Sequence, residues 1–257
     1  MINTIRADFY RLFRSKGFFI TQLALITTVI FSVASEAVGS INFQSNDPQL
    51  VNDSLNNLPW SATNALVTMS TMASFLFYFC LPLFVMTIGF DLTRKTYKTV
   101  LTAGVSRWHF FSSKYITFVV MSLMQFIFYY GLTFLTAWIK NGLGVVTEDF
   151  WWHFVQTFGI QFLCLTAIFG LATLAVYLTF SNVTAVLTVV LAPLILTAIT
   201  IFTNVEWFIH FNFQSLVDSA WTLEIANHFW LKTTFSALAT ILLTVSFAYV
   251  NFQKKEL

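Results

Sequence analysis

Two acid–histidine pairs are the first candidates for chemistry in this sequence. Glu206 lies four residues before His210, and Glu224 lies four residues before His228. On a helix the members of each pair would share a face and could supply two ligands to a metal ion. Pairs of this kind arise often by chance, and a histidine ring also suits a membrane interface, so we expect no metal site and no catalytic residue here.

The chain lacks the compact motifs by which proteins hold nucleotides or hydrolyse substrates. It contains no G-x-x-x-x-G-K-[ST], no H-E-x-x-H and no G-x-S-x-G, which are the motifs of phosphate-binding loops, zinc proteases and serine hydrolases. We therefore expect that this chain is not an enzyme and that it binds no cofactor itself.

The composition indicates a membrane protein. Of 257 residues, 57% are hydrophobic and 9% are charged, whereas soluble domains average about 45–50% and about 25%. The net charge of +2 is too small to indicate nucleic acid as a partner. Cys80 and Cys164 both lie in apolar runs, where we expect small buried residues and not a disulfide.

Six segments are long and apolar enough to cross a bilayer, since a spanning helix needs about 20 mostly apolar residues. The first follows a basic leader and could be mistaken for a signal peptide, but its apolar run is too long and five further spans follow, so we expect it to be retained. The predicted fold is a single all-α transmembrane domain with spans at 17–40, 66–90, 115–139, 154–178, 183–202 and 231–250.

Basic residues predict the orientation, because cytoplasmic loops carry the excess of Lys and Arg. With six spans, Lys140 and Lys232 alone fall on the outer side, and both termini are expected in the cytoplasm of a bacterial cell. The basic residues predicted inside are Arg6, Arg11, Arg14, Lys16, Arg94, Lys95, Lys98, Arg107, Lys114, Lys254 and Lys255.

Three connecting segments have a distinct character. Residues 1–16 place apolar residues at helical spacing with basic residues between them, which predicts an interfacial amphipathic helix before the first span. Residues 41–64 read as a polar outer loop. Residues 203–230 mix aromatic residues with acids, which predicts short outer helices that lie at the interface or re-enter the membrane.

The predicted spans contain few polar groups. Glu36 and Asp91 lie near span ends and Lys232 lies at an entry; because ion pumps usually retain charges inside the membrane, an ion-coupled carrier is disfavoured. Gln125 and Gln161 are the remaining polar residues of interest. We expect them to form hydrogen bonds between helices, with contact to a transported molecule as the alternative.

The loop between the second and third spans, residues 91–114, is basic and hydroxyl-rich. Tyr97, Val100, Leu101, Val105 and Trp108 recur at a roughly helical period that is broken by glycine at position 104. The loop could serve only to orient the protein. An aromatic and aliphatic face is instead explained by a short helix presented to a soluble partner.

These features resemble the permease subunits of type 2 ABC exporters. That family has six spans, an N-terminal interfacial helix like "RADFYRLFRSKGFF", an acid after the second span as at Asp91, and a step similar to L-x-x-G-x-S-R followed by a lysine. The last motif is matched here by Leu101, Gly104, Ser106, Arg107 and, one residue late, Lys114. The acid is Asp where Glu is more usual, and "KTYK" replaces a commoner Gly-Thr pair.

The resemblance implies that residues 91–114 contain a coupling helix that docks on a separate ATPase subunit, where ATP and Mg²⁺ would bind. Tyr97, Leu101 and Trp108 would supply its apolar anchor. The candidate coupling residues are Arg94, Lys95, Tyr97, Lys98, Leu101, Gly104, Ser106, Arg107 and Trp108.

We therefore expect the membrane subunit of an exporter, paired with a second copy or a related permease. The expected substrate is apolar or amphipathic, with a peptide of the bacteriocin or lantibiotic kind as the leading class and resistance to such peptides as a related role. The alternative is a stand-alone membrane protein: an immunity factor, or an intramembrane enzyme that uses the outer Glu and His pairs.

Overall fold

A computed structural model describes residues 2–37, 60–203, 206–222 and 229–254, without the side chains of 200, 201, 203 and 206–208. Throughout these ranges the chain is helix, turn or irregular and contains no strand. The helices are α1 (Ile2–Phe13), α2 (Lys16–Ser35), α3 (Ala62–Ser70), α4 (Phe75–Phe84), α5 (Phe90–Thr93), α6 (Thr96–Thr102), α7 (Arg107–Asn141), α8 (Phe150–Thr179), α9 (Asn182–Thr203), α10 (Phe213–Ser219) and α11 (Phe229–Lys254).

Six helical segments of the described chain are long and apolar enough to span a membrane, as the sequence predicts. The first span is α2, the third α7, the fourth α8, the fifth α9 and the sixth α11, while the second runs over Phe75–Thr93. The third span is longer than predicted because its helix already begins at Arg107. Most of the predicted outer loop 41–64 lies outside the described residues.

The second span is irregular at two points. Between α3 and α4 the backbone tightens, with amides bonding to carbonyls three residues back instead of four, a pattern that often marks a hinge when it occurs within a helix. Farther along, Pro82 lies inside α4 and a π-helical turn occupies Val85–Gly89 before α5. Both irregularities let the segment bend more easily than a regular α-helix.

The two described chain ends and the loop between the second and third spans lie at one end of the bundle. Asp8 of α1 pairs with Lys114 in the third span, and Arg107 bonds to carbonyls at the end of the sixth span. At the opposite end, Lys140 of the third span pairs with Glu36, which follows the first. We call the end that contains Asp8 the cationic end.

Lys140 has a local structural reason to lie away from the cationic end. Its Nζ donates to the carbonyl oxygens of Val33 at 3.2 Å and Ala34 at 3.0 Å and to Glu36 Oε1 at 2.8 Å. The last carbonyls of a helix lack partners within the helix and favour a nearby cation. The bond from Lys140 also lowers the pKa of the Glu36 carboxyl.

Among the described helices, the fourth and sixth spans make the most extensive contact with each other. At Gly170 of the fourth span, an added Cβ would come within 2.7 Å of Thr244 Oγ1, so the absence of a side chain permits the close approach. The fourth span is the most buried of the six and the fifth the least. The fifth span therefore presents most of its apolar surface to lipid or to another chain.

Candidate functional site

Residues 91–114 fold into the short helix α6, a tight turn and the start of the third span. Gly104 in the turn has φ +91°, a conformation that L-residues with a side chain rarely adopt. Ser106 then caps the third span, since its Oγ accepts a hydrogen bond from the amide of His109 at 3.2 Å. The segment is thus a helix held on the bundle by turns at both ends.

Tyr97 anchors α6 to its own bundle. Its side chain is 5% exposed, and its ring packs against the rings of Phe180 and Phe252. The bundle itself therefore covers this ring, and Tyr97 presents little surface to a docking partner. Leu101 also packs partly against the core. Trp108 is instead 54% exposed, and its ring packs edge-to-face with the Tyr249 ring.

The remaining predicted coupling residues lie at the surface of the cationic end. Lys98 and Arg107 are partly exposed. The exposed members of the set, apart from Trp108, are Arg94, Lys95, Gly104 and Ser106.

Arg107 has a structural role within this chain. Its Nη1 donates to the carbonyl oxygens of Phe252 at 3.0 Å and Gln253 at 2.6 Å. These are carbonyls of the last helical turn, which lack partners within the helix. Arg107 therefore fixes the end of the sixth span next to α6, a role that the motif resemblance does not indicate.

Behind α6 lies a cluster of four charges that the sequence did not reveal as a site. Lys114 Nζ lies 2.5 Å from Asp8 Oδ1 and 2.5 Å from Asp91 Oδ2. Arg11 donates to both Asp91 oxygens, at 2.7 and 3.0 Å, and lies 3.5 Å from Asp8. We call Asp8, Arg11, Asp91 and Lys114 the four-charge cluster.

The cluster joins three elements: α1, the end of the second span and the start of the third. Thr96 of α6 adds a hydrogen bond to Asp91 Oδ1 at 3.0 Å, so α6 is linked to it directly. The apolar face of α1 packs nearby, where Leu12 is buried against Leu83, Met86 and Met121. Motion of α6 would therefore be transmitted to α1 and to both spans.

The charges of the cluster balance, with two acids and two bases in contact. Lys114 is only 4% exposed, although the sequence places it in the loop before the third span. An unpaired charge at such a position would be strongly unfavourable. Burial raises the pKa of the Asp8 carboxyl, against the opposing effects of Lys114 and Arg11. The sequence carried one signal of this site: Asp8 and Asp91 are isolated acids within basic segments.

A second group of polar side chains lies deeper in the bundle. Asp218 of α10 is 4% exposed, and its Oδ1 accepts a hydrogen bond from the amide of Ser74 at 2.9 Å. Gln161 accepts a bond from the Tyr130 hydroxyl and donates to the carbonyls of Ser70, at 3.0 Å, and Val217, at 2.8 Å. We call Ser74, Tyr130, Gln161 and Asp218 the mid-bundle polar cluster.

This polar cluster lies well inside the bundle. Gln161 is about 17 Å from Phe150, the first residue of its helix, at 1.5 Å per residue. Asp218 lies outside the six spans, and burial raises the pKa of its carboxyl to about 7. The polar groups of the spans are thus joined by one acid from outside them, because α10 carries Asp218 inward from a segment that the sequence places outside.

Both glutamines contact other helices. Gln161 has its amide groups fully engaged, whereas Gln125 accepts a bond from Gln22 at 2.7 Å and its Nε2 has no partner among the described residues. Gln125 and Gln22 line a small cleft of about 260 Å³ between the first and third spans. This favours the interhelical role for Gln161 and leaves Gln125 as the better candidate for contact with a bound molecule.

The acid–histidine pairs are only partly described. His210 lies in the last turn of a 3₁₀ helix, Glu206–Phe211, and its ring packs on Phe229, while the Glu206 side chain and the pair Glu224 and His228 lie outside the description. Among the described residues no group of three or more His, Cys, Asp or Glu side chains could hold a metal ion. The ring of His210 is thus engaged in packing against an aromatic side chain.

Comparison with known proteins adds no relative. No model of a known protein family and no curated protein matches this chain. The case for function therefore rests on the geometry of the cationic end together with the sequence resemblance.

Proposed function

We propose that this chain is the permease subunit of an ABC exporter in the bacterial plasma membrane, driven by a separate ATPase subunit. The observation that carries the proposal is the position of α6. It lies at the end of the bundle where the described chain ends meet, and it is joined through Thr96, Asp91 and Lys114 to α1 and two spans. A helix so connected can pass a mechanical displacement into the membrane domain.

The docking surface consists of the exposed face of α6, the turns on either side of it and the first residues of α7. Arg94, Lys95 and Lys98 supply positive charge, and Trp108 supplies an exposed aromatic surface. Trp and Arg side chains are enriched at protein interfaces, and the lysines add positive charge that can match an acidic rim on the partner. Tyr97 and Arg107 support this surface from within the chain.

Transport would alternate between two packings of the spans, and ATP-driven closure of the ATPases would select between them. The tightened backbone before Phe75 and the π-helical turn at Val85–Gly89 are the places where the second span can bend. The four-charge cluster lies beside the second of these, and Arg11 also donates to the carbonyl of Met86 within that turn at 3.3 Å. A shift of α6 would thus reach a flexible point of the span.

The proposed substrate is an apolar or amphipathic molecule, with a peptide as the leading class. The chain contains 31 Phe and 8 Trp residues, which supply aromatic surface for such a molecule. A second permease copy or a related permease would complete the transporter. The exposed fifth span offers apolar surface for that contact.

Co-purification with candidate ATPase subunits tests the proposal. We expect the wild-type chain to retain one ATPase through detergent extraction, and Lys98→Glu to weaken retention about two- to fivefold, the effect of a solvated charge pair. Lys232→Glu is the matched control, because it makes the same charge change at an exposed residue away from α6.

Retention of an ATPase by the wild type and by Lys232→Glu, with loss in Lys98→Glu, would support docking at α6. Equal retention by both variants would show that α6 is not the docking element. Failure of the wild type to retain any of the ATPases would favour a stand-alone membrane protein.

A further inference from the structure

A cleft of about 630 Å³ opens between α1, the second span and the fifth span at the cationic end. Its mouth carries Arg11, Asp91 and Arg94, together with the hydroxyl groups of Ser15 and Thr96. Its walls are apolar and include Leu12, Leu81, Pro82, Val85, Met86 and Val186. The cleft is therefore amphipathic, with its polar groups gathered at one end.

The cleft is long in the direction of the helices. Its lining on the second span extends from Leu81 to Arg94, which is about 20 Å at 1.5 Å per residue. The charged lining residues Asp91 and Arg94 lie at the C-terminal end of the second span. The lining residues farther into the bundle are apolar. A ligand that fits this shape has a polar head and an extended apolar tail.

The charge at the mouth selects the sign of the head group. Asp91 is neutralised within the four-charge cluster, so it leaves no net negative charge for an anion to encounter. Arg94 lies over the Phe90 ring at 4.8 Å and has no acidic partner among the described residues. Lys16, between the lining residues Ser15 and Gly17, adds a second exposed cation.

We propose that this cleft binds one anionic phospholipid from the adjacent membrane leaflet. The phosphate bonds to the Arg94 guanidinium, whose several N–H groups suit phosphate oxygens. One acyl chain fills the apolar cleft along the second span. A free phosphate would leave the apolar part empty, and a zwitterionic lipid would bring a second, positive group towards Arg94 and Lys16.

Lipid retention in nanodiscs tests the site on the chain without any ATPase, so the result is independent of the proposed function. The probes are phosphatidylglycerol and phosphatidylcholine, with glycerol phosphate as the tail-free head group. We expect selective retention of phosphatidylglycerol, no binding of glycerol phosphate, and about tenfold weaker retention in Arg94→Gln, the effect of losing one charge-assisted hydrogen bond. Lys95→Gln, which removes the same charge from the neighbouring exposed residue, is the control and should retain the lipid.

A second variant tests the apolar part of the cleft. Val186 is 40% exposed, so Val186→Phe adds bulk to the wall with little risk to folding, and it should reduce lipid retention without a change in charge. Equal retention of both lipids, or equal effects of Arg94→Gln and Lys95→Gln, would overturn the proposal. It would also be overturned if Val186→Phe altered the oligomeric state and left lipid retention unchanged, because a second copy of the chain would then cover the cleft.

Discussion

Lys114 is the residue on which the four-charge cluster most depends, since it contacts both acids. Loss of its charge would leave Asp8 with only a longer contact to Arg11, in a position where Asp8 Oδ2 already has no partner among the described residues. Removing one partner of a buried ion pair usually destabilises a protein far more than the pair itself stabilises it. The cluster is therefore a sensitive point of the fold as well as a link to α6.

We predict that Lys114→Met lowers the free energy of unfolding by about 3–5 kcal/mol, measured by equilibrium unfolding in mixed micelles. Lys95→Met, which removes an exposed cation, should change it by less than about 0.5 kcal/mol. Adding Asp8→Asn to Lys114→Met should recover much of the loss, because Asp91 retains Arg11. Equal free energies of unfolding for Lys114→Met and Lys95→Met would show that the four-charge cluster does not stabilise the fold.

Asp218 predicts a dependence of stability on pH. Its carboxyl in the folded protein has a pKa of about 7 because it is buried, whereas in the unfolded chain the pKa is near 4. Between these values the folded protein keeps a proton that the unfolded chain releases, so stability falls as pH rises and becomes level above about 7. Below about pH 4 the carboxyl is protonated in both states, so it does not change stability with pH.

We therefore expect the wild type to lose more thermal stability between pH 5 and pH 8 than Asp218→Asn does. The amide of the variant can still accept the bond from Ser74 and cannot ionise. The melting temperature of both proteins at the two pH values measures the difference. Parallel changes in wild type and variant would mean that Asp218 is ionised throughout this range or that other groups dominate.

At the scale of the elements, hydropathy was enough to predict the six spans, because apolar length is a property of the local sequence. The helix that carries the third span begins earlier than the apolar run indicates, since "RWHFFSSK" contains charged and polar residues that hydropathy excludes. The helix begins at Arg107 because Ser106 caps it. A capping residue followed by helix formers was the signal that would have corrected this boundary.

Contacts between distant residues could not be predicted from local patterns. Asp218 and Ser74 are 144 positions apart, and Asp8 and Lys114 are 106 apart. A periodic sequence indicates which face of a helix is apolar but not which helix lies against it. For the same reason, the periodicity of residues 91–114 does not indicate that the Tyr97 ring packs inside the bundle.

The turn after α6 depends on glycine. In Gly104→Ala the side chain would be placed at φ +91°, which we expect to destabilise the protein by about 1–2 kcal/mol. Gly131 is the control: it lies inside the third span, and an added Cβ there meets no atom within 4 Å. Gly131→Ala should be neutral or stabilising, and unfolding midpoints compare the two. A neutral Gly104→Ala would mean that the turn can adopt another conformation.

At the scale of the whole molecule, the positive charges and the contacts agree on which segments share an end. The N-terminal helix, α6 and the end of the sixth span are connected by the four-charge cluster and by Arg107. Basic residues favour the cytoplasmic side of a bacterial membrane. The assignment of this end to the cytoplasm follows from that rule and requires a direct test.

Cysteine accessibility in intact cells provides that test. Cys80 and Cys164 are both fully buried, so single cysteines can be introduced into the natural sequence with little background. Val145 is 87% exposed at the end opposite α6, and we expect Val145→Cys to react with a membrane-impermeant maleimide in whole cells. Lys95→Cys and Lys254→Cys should react only after the membrane is permeabilised. Labelling of Lys95→Cys from outside would reverse the orientation and place α6 beyond the reach of a cytoplasmic ATPase, which would remove the basis of the proposed function.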